Sequence, residues 1–253
     1  MSIAISEPAP IHLRPGVLFV ATRSGGTLMD LSGNRYMALG PESALIWSWL
    51  ADGHGRAAVV EMLAQAECLD RHAAQSVLEQ QLRFWHDAEL VVDSGSLPTP
   101  LPRPKRPLEA DPIDIDDNAG PRAPLSAILL STLLVTEISY GRSLRNEGLA
   151  RTLIRLQREA WSEPGDNPMP PVYSVLRAYH ALRRPYKQSE TAHDCLVRSL
   201  ALTAALHRKG VHADLCIGVI DLPFQAHAWV EANGFVLNDT STKRREYTVI
   251  GRF

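Results

Sequence analysis

Between residues 191 and 240 the chain dictates its local structure three times in succession, and each step restricts the next. Thr191-Ala-His-Asp194 fits the pattern in which a Ser or Thr and an acidic residue three positions on satisfy the free N–H groups of a helix start. Leu196, Val197, Leu200, Ala201 and Ala204 then recur at helical spacing until Lys209-Gly210 closes the run. Val211, Ala213, Leu215, Ile217 and Val219 alternate as in a half-buried strand, and Ala-His-Ala-Trp-Val-Glu at 226–231 predicts a second strand. Ala232-Asn233-Gly234 predicts the hairpin loop between that strand and the next. With three loop residues, Glu231 opposes Phe235, Trp229 opposes Leu237 and His227 opposes Asp239. Opposed side chains stand about 4.5–5.5 Å apart at Cβ, so Asp239 is expected to accept a hydrogen bond from one imidazole nitrogen.

This register gives Cys195 a purpose. In the first turn of a helix, unpaired N–H groups and the positive end of the dipole favour a thiolate, and the same N–H groups can donate to an oxyanion. Each residue also has a plainer reading. A cysteine in an apolar helix is usually filler, a histidine in a strand is usually half-buried and satisfied, and an aspartate can simply start a turn. A capped cysteine followed by a histidine and an aspartate in facing register seldom arises by chance. The expectation is therefore nucleophile Cys195, general base His227 and orienting Asp239.

His-Asp-Cys195-Leu-x-x-Ser-Leu-Ala-Leu, Ala-His227-Ala-Trp-Val-Glu and Asn238-Asp239-Thr240 resemble, in order and kind, the leader peptidases of lasso-peptide biosynthesis. Those bacterial B proteins carry a transglutaminase-like, papain-like cysteine-peptidase fold, and the resemblance covers roughly the last 130 residues. It implies the same three catalytic roles. It also makes Gln188 the candidate oxyanion-binding side chain, since a glutamine or aromatic N–H upstream serves that purpose in more distant relatives.

Residues 12–39 contain three short β-prone runs, 17–20, 27–31 and 35–39, separated by Gly25-Gly26 and Ser32-Gly33-Asn34. Three helices are expected next, at 41–50 with Leu45, Ile46 and Trp49 along one side, at 56–66 and at 70–86. A three-stranded antiparallel sheet covered by a small helical bundle fits this order. Trp47 and Trp49 are expected to complete a core rather than stack on a ligand. Leu28-Met-Asp30-Leu31-x-x-x-Arg35-Tyr36-x-x-Leu39-Gly40 followed by Ala44-Leu-Ile-Trp47 resembles the PqqD-like recognition element of ribosomal-peptide pathways, a winged-helix-like peptide-binding domain, over about residues 12–93. The resemblance implies that a precursor's leader adds as a strand along Arg35, Tyr36, Met37, Ala38 and Leu39. A third-helix face with Val77, Gln81 and Phe84 would cover it.

The chain is thus expected to be α+β, with a recognition domain at 1–95, a proline-rich linker at 96–122 and a peptidase domain at 123–253. Prolines 98, 100, 102, 104, 107, 112, 121 and 124 predict an extended tether, the alternative being an arm packed on either domain. Beyond it, 123–161 reads as helical with a break near Gly141 or Gly148, and 172–182 as another helix.

Charge and cysteine usage exclude several classes. Six basic against eleven acidic residues in 1–95, and sixteen against twelve in 123–253, describe solvated faces more than a polyanion site, and no aromatics interleave with the basic residues to stack on nucleic-acid bases. Cys68, Cys195 and Cys216 form neither an even set nor a C-x-x-C, so no disulfide or zinc site is expected, and Cys68 and Cys216 read as small hydrophobes. His193, His207 and His212 lack acidic partners at ligand spacing, and no metal is expected. No cofactor is expected, because no glycine-rich phosphate loop occurs. The N-terminal stretch lacks the pattern of a secretion signal and the longest apolar run, 125–135, is too short for a bilayer, so a cytoplasmic location without membrane association is expected, a bacterial one by the resemblance.

The resemblance implies as partners a lasso precursor, held by its leader, and an asparagine-synthetase-like lasso cyclase that uses the freed amine. Two other functions remain open from the sequence: a non-catalytic scaffold presenting the precursor, and an acyl transferase or transglutaminase using the same triad.

Overall fold

A computed structural model describes residues 11–92, 101–102, 104–105, 111–116, 125–159, 169–183 and 192–253, the side chains of 192 and 193 excepted. The chain divides into two units, residues 1–100 and 101–253. The α+β class expected from the sequence is observed, with helices and sheets in both units.

In the first unit, β2 (Val17–Thr22), β3 (Gly25–Asp30) and β4 (Arg35–Leu39) form an antiparallel sheet in that order. The β3–β4 turn is organised by one carboxylate. Asp30, 3% exposed, accepts hydrogen bonds from the Ser32 and Gly33 N–H groups at 3.1 and 2.8 Å and pairs with Arg14 and Arg35. Burial pushes this carboxyl up, but the Gly33 N–H and the Arg14 and Arg35 guanidiniums outweigh it and hold the group below the usual carboxylate range.

Helix α1 (Pro41–Ala51) starts with proline at its first position, α2 spans Arg56–Ala66, and α3 (Arg71–Asp87) is capped by Asp70, which accepts the Ala73 N–H at 2.8 Å. Trp47 and Trp85 meet edge-on, with centroids 5.0 Å apart, at the centre of a core with Leu28, Ile46, Leu63 and Leu78. The buried stripe of α1 is Ala44, Ile46, Trp47 and Leu50. Leu45, expected inside, is 41% exposed, while Trp49 is half-buried. The strands β1 (His12–Leu13) and β5 (Val91–Val92) pair into a small second sheet. Two-residue strands carry no periodicity, and neither was foreseen.

The second unit has a five-stranded sheet in the order β10-β7-β8-β9-β6, comprising β6 (Ile113–Asp114), β7 (Asp214–Ile220), β8 (Gln225–Ala232), β9 (Phe235–Val236) and β10 (Thr248–Arg252). Helices α4 (Ala127–Glu159), α5 (Met169–Arg183) and α6 (Ala192–His207) supply Leu133, Val175, Leu176, Leu202 and Leu206 to a core that takes Val230 and Ala232 from β8. Of the two glycines expected to break the first helix, Gly148 does so, at φ 78°. Gly141 stays helical.

Alternate β8 residues serve the other cluster, where Trp229 packs with Cys216, Val236, Tyr247 and Val249. There Glu231, 1% exposed, accepts the Trp229 indole N–H at 2.7 Å and pairs with Arg252 and Arg244. The basic residues near the C-terminus are therefore not all a solvated face: Arg252 is 4% and Arg244 16% exposed. Phe253 exchanges two backbone hydrogen bonds with Leu215, at 2.9 and 3.0 Å, so the last residue is part of the sheet.

The described residues of the proline-rich segment are packed on the second unit. Strand β6 runs parallel to β9, the Lys105 N–H donates to Arg252 O at 2.7 Å, and Arg244 pairs with Asp111. Asp114 accepts the Ser241 N–H at the start of α7 (Ser241–Arg244). A stretch poor in apolar residues gave no sign of a strand, because its pairing satisfies an edge rather than fills a core. Among the described residues no helix is long and apolar enough to cross a membrane.

Glu231→Ala is expected to leave Arg252 buried without its partner and to destabilise the second unit by about 3–5 kcal/mol, read as a lowered denaturation midpoint. For Asp114→Ala, which removes one acceptor from a helix start, the expected loss is about 0.5–2 kcal/mol.

Candidate active site

Helix α6 begins at Ala192, so Cys195 is its fourth residue, at the end of the first turn and next to the free N–H groups of the helix start. Cys195 is half-buried, unlike Cys216, which is fully buried with its thiol pushed up by desolvation, and Cys68, which is exposed at φ 51° beyond α2. The expected small-hydrophobe role thus fits Cys216 and not Cys68.

Opposite Gly218 on β7, β8 carries His227. The loop after β8 is one residue shorter than expected: Ala232 pairs with Phe235 and Glu231 with Val236, leaving Asn233 and Gly234 as a two-residue turn at φ 50° and 79°. Both positions are left-handed, as the turn that matches strand twist requires, and this is why Asn-Gly suits it. The predicted facing of His227 and Asp239 by ladder register is therefore wrong by one residue. The two nevertheless meet, because the chain leaves the ladder after Leu237. Leu237 N–H donates to Val230 O at 2.9 Å, but the reciprocal Val230 N–H goes to the Asn238 side-chain Oδ1 at 2.8 Å. The backbone is thereby released to turn, and Asp239 accepts a hydrogen bond from His227 Nε2.

Nε2 occupied by Asp239 leaves Nδ1 for the sulfur, and His227 also hydrogen-bonds Cys195. Burial disfavours the imidazolium, but the hydrogen bonds to Asp239 and Cys195 and the negative charge of a Cys195 thiolate prevail and raise the His227 pKa to about 9. For Asp239, desolvation is likewise outweighed, by the His227 hydrogen bond, the Thr240 N–H and Lys243, whose Nζ lies 3.5 Å away, and its pKa is lowered. The imidazole ring rests against Tyr247 and Trp229, with centroids at 5.2 and 6.0 Å. A Cβ at Gly218 would stand 2.7 Å from the Trp229 ring and 2.8 Å from the Tyr247 Cβ, so a glycine there is what lets both aromatics close beneath His227.

Cys195, His227 and Asp239 are thus brought together, and the arrangement suits covalent acyl transfer through sulfur. Gln188 lies outside the described residues. His207 is a core histidine whose Nε2 donates to Ala213 O at 2.7 Å, its pKa lowered by burial, while His212 is exposed and the His193 side chain lies outside the described set. Among the described residues no group of three or more His, Cys, Asp or Glu is arranged to hold a metal.

Sequence reasoning missed Tyr247, Gly218, Lys243 and the roles of Ser199 and Asn238. The last two carried a signal, since Ser199 falls one turn after Cys195 and Asn238 immediately precedes Asp239.

In the first unit, β4 is one of the two edge strands of its sheet, β2 being the other. Arg35 and Ala38 are exposed and Tyr36 is 36% exposed, while Met37 packs against the core and Leu39 is buried within it. Any partner pairing there would meet Leu39 through backbone only. Val77, Gln81 and Phe84 share one stripe of α3. Val77 packs partly on the core, Gln81 accepts the Ser43 hydroxyl at 3.0 Å, and Phe84 is 56% exposed.

Residues 134–252 match the family model of the transglutaminase-like superfamily. Over 57 residues the chain is 44% identical to the microcin J25-processing protein McjB of Escherichia coli, a stretch that is 22% of this chain and 27% of that protein's length. Two solved structures are similar, each with a TM-score of 0.31. One is lasso peptide synthetase B1 complexed with the leader peptide, 26% identical over 33% of this chain and 99% of that one. The other is TbiB1 in complex with the TbiA(beta) leader peptide, 22% identical over 34% and 98%.

A group whose folded pKa is raised contributes stability below its unfolded value and loses it as pH rises through the folded one. His227 is therefore expected to stabilise the second unit fully below about pH 6.5 and to lose that contribution up to about pH 9. In a proton NMR titration its ring signals should move with a midpoint near 9, and in Asp239→Ala toward 6.5.

Proposed function

We propose that this chain is a cysteine peptidase that removes the leader from a lasso-peptide precursor and frees the core's N-terminal amine for an asparagine-synthetase-like cyclase. The single observation that carries the reading is the hydrogen-bonded line of Cys195, His227 and Asp239 at the start of α6. The local identity to a microcin-processing protein supplies the substrate class, and the match to the transglutaminase-like superfamily agrees with thiol chemistry.

In this reading the Cys195 thiolate attacks the scissile carbonyl carbon. The oxyanion takes hydrogen bonds from N–H groups of the first turn of α6, and the His227 imidazolium gives its proton to the leaving amine. That amine departs as the new N-terminus of the core, and the leader stays as a thioester on sulfur. His227, now neutral, takes a proton from water, which attacks the thioester. The leader leaves as a carboxylic acid and the thiolate–imidazolium pair is restored. Asp239 keeps the Nε2 proton in place throughout, so that Nδ1 carries the traffic.

The first unit, read as a winged-helix-like recognition element, would take the leader as a fourth strand on β4. The α3 face carrying Phe84, large, apolar and exposed, would cover that strand as the resemblance implies.

Cys195→Ala and His227→Ala are expected to abolish leader hydrolysis, followed by mass spectrometry of a precursor, with leader affinity near wild type. Asp239→Ala should keep more activity than either. Intact precursor with wild-type protein would favour the scaffold reading, and a mass gain or crosslink would favour acyl transfer. Phe84→Asp, an exposed position where folding is not at stake, should weaken binding of a fluorescent leader peptide by about 5- to 150-fold, the equivalent of about 1–3 kcal/mol.

A further inference from the structure

One polar cluster beside the site takes no part in the proton path. Ser199 is fully buried, one helical turn after Cys195 on α6. Its hydroxyl donates to Ala228 O at 3.0 Å and accepts the Asn238 Nδ2–H at 2.9 Å. The Asn238 amide meanwhile accepts the Val230 N–H through Oδ1 at 2.8 Å. Each atom in this chain of bonds belongs to an element that carries one member of the triad. Ser199 shares the helix of Cys195, Ala228 is the neighbour of His227, and Asn238 is the neighbour of Asp239.

The position is also unusual as a way of using a sheet. An antiparallel pair would ordinarily return the Val230 N–H to the Leu237 carbonyl, continuing the ladder toward residue 239. A ladder continued at this register would set Asp239 against Ala228, on the opposite face of β8 from His227. Substituting a side-chain carbonyl for a main-chain one ends the ladder one residue early and satisfies the donor all the same. A residue with a short side chain carrying both an acceptor and a donor is needed, and asparagine is that residue.

We infer that Ser199 and Asn238 are positioning residues of the thiol site, a hydrogen-bonded clip that sets the separation of Cys195, His227 and Asp239. The inference rests on the peptidase reading for its catalytic consequence, but its geometric core does not. Neither residue touches the reacting atoms. Both act through the elements they join, and a displacement of about 1 Å at a reacting pair is enough to cost about 10²-fold in rate.

The test uses the full chain with Ser199→Ala, which removes one oxygen and opens no cavity, and Asn238→Ala as an independent route to the same loss. Circular dichroism establishes the fold of each, and Ser199→Ala carries the test if Asn238→Ala fails to fold. Two readouts follow. The first is the pH titration of the His227 ring signals by proton NMR. Wild type should show an inflection near pH 9, and the variants, in which the imidazole is no longer held against Cys195, should show it displaced toward 6.5. The second is leader hydrolysis, with kcat down about 10²-fold and KM within about threefold of wild type.

A merely structural role would lower the denaturation midpoint while leaving the inflection and kcat in place, and that result in a folded Ser199→Ala overturns the inference. The peptidase reading fails separately. If wild type leaves the precursor intact, the His227 titration profile still decides the clip. If wild type cleaves and Ser199→Ala cleaves equally well with an unmoved profile, the clip falls and the peptidase stands.

Discussion

The two-residue turn at Asn233-Gly234 is the constraint from which the rest of the second unit follows. Two consecutive left-handed residues fix the loop length, the loop length fixes the register, and the register decides which side chains of β8 face the helices. Val230 and Ala232 then go to the helical core and Trp229 and Glu231 to the opposite cluster. Because the register is set so tightly, Asp239 reaches His227 by leaving the ladder rather than by extending it. Regular pairing positions the strand, and one deliberate departure from it positions the carboxylate.

Buried charge is used in two different ways within a few residues of β8. Glu231 is enclosed by Arg252, Arg244 and an indole N–H, so every oxygen has a fixed cationic or dipolar partner. His227, four residues back along the strand, has on one side a carboxylate and on the other a sulfur that can itself be charged or neutral. Its protonation therefore follows the state of the sulfur. The first arrangement locks the C-terminal strand onto the sheet; the second holds a proton next to a cysteine sulfur. The aromatic packing of Tyr247 and Trp229 against the imidazole serves the second, since it fixes the ring without offering a competing acceptor.

Much of this was legible in the sequence, and the reasons differ by element. The helix of Cys195 and the strand of His227 announced themselves through strict 3.6- and 2-residue periodicities, which depend only on one face meeting a core. The first unit's three strands and three helices were legible for the same reason, with boundaries fixed by Pro41 and Asp70. The turn was misjudged by one residue because Ala232 has no conformational signature of its own and only pairing assigns it to the strand. Nothing local marks β6, β1 or β5 either, as two-residue strands exist only through their partners. The meeting of His227 and Asp239 was foreseen through a register that does not occur. That the pair forms anyway reflects the Asn238 side chain, whose role lies in a hydrogen bond and not in a pattern of hydrophobicity.

The described residues of 101–116 belong to the second unit and not to a tether. Read as a tether, 96–122 offered 27 residues of free chain, whereas Lys105 and β6 are bonded to the sheet of the second unit. Asp114 also accepts the first N–H of α7, two positions beyond Asp239. Part of the proline-rich stretch therefore steadies the loop that orients His227, a use that proline spacing and charge do not announce because it lies in one carboxylate oxygen and one backbone N–H.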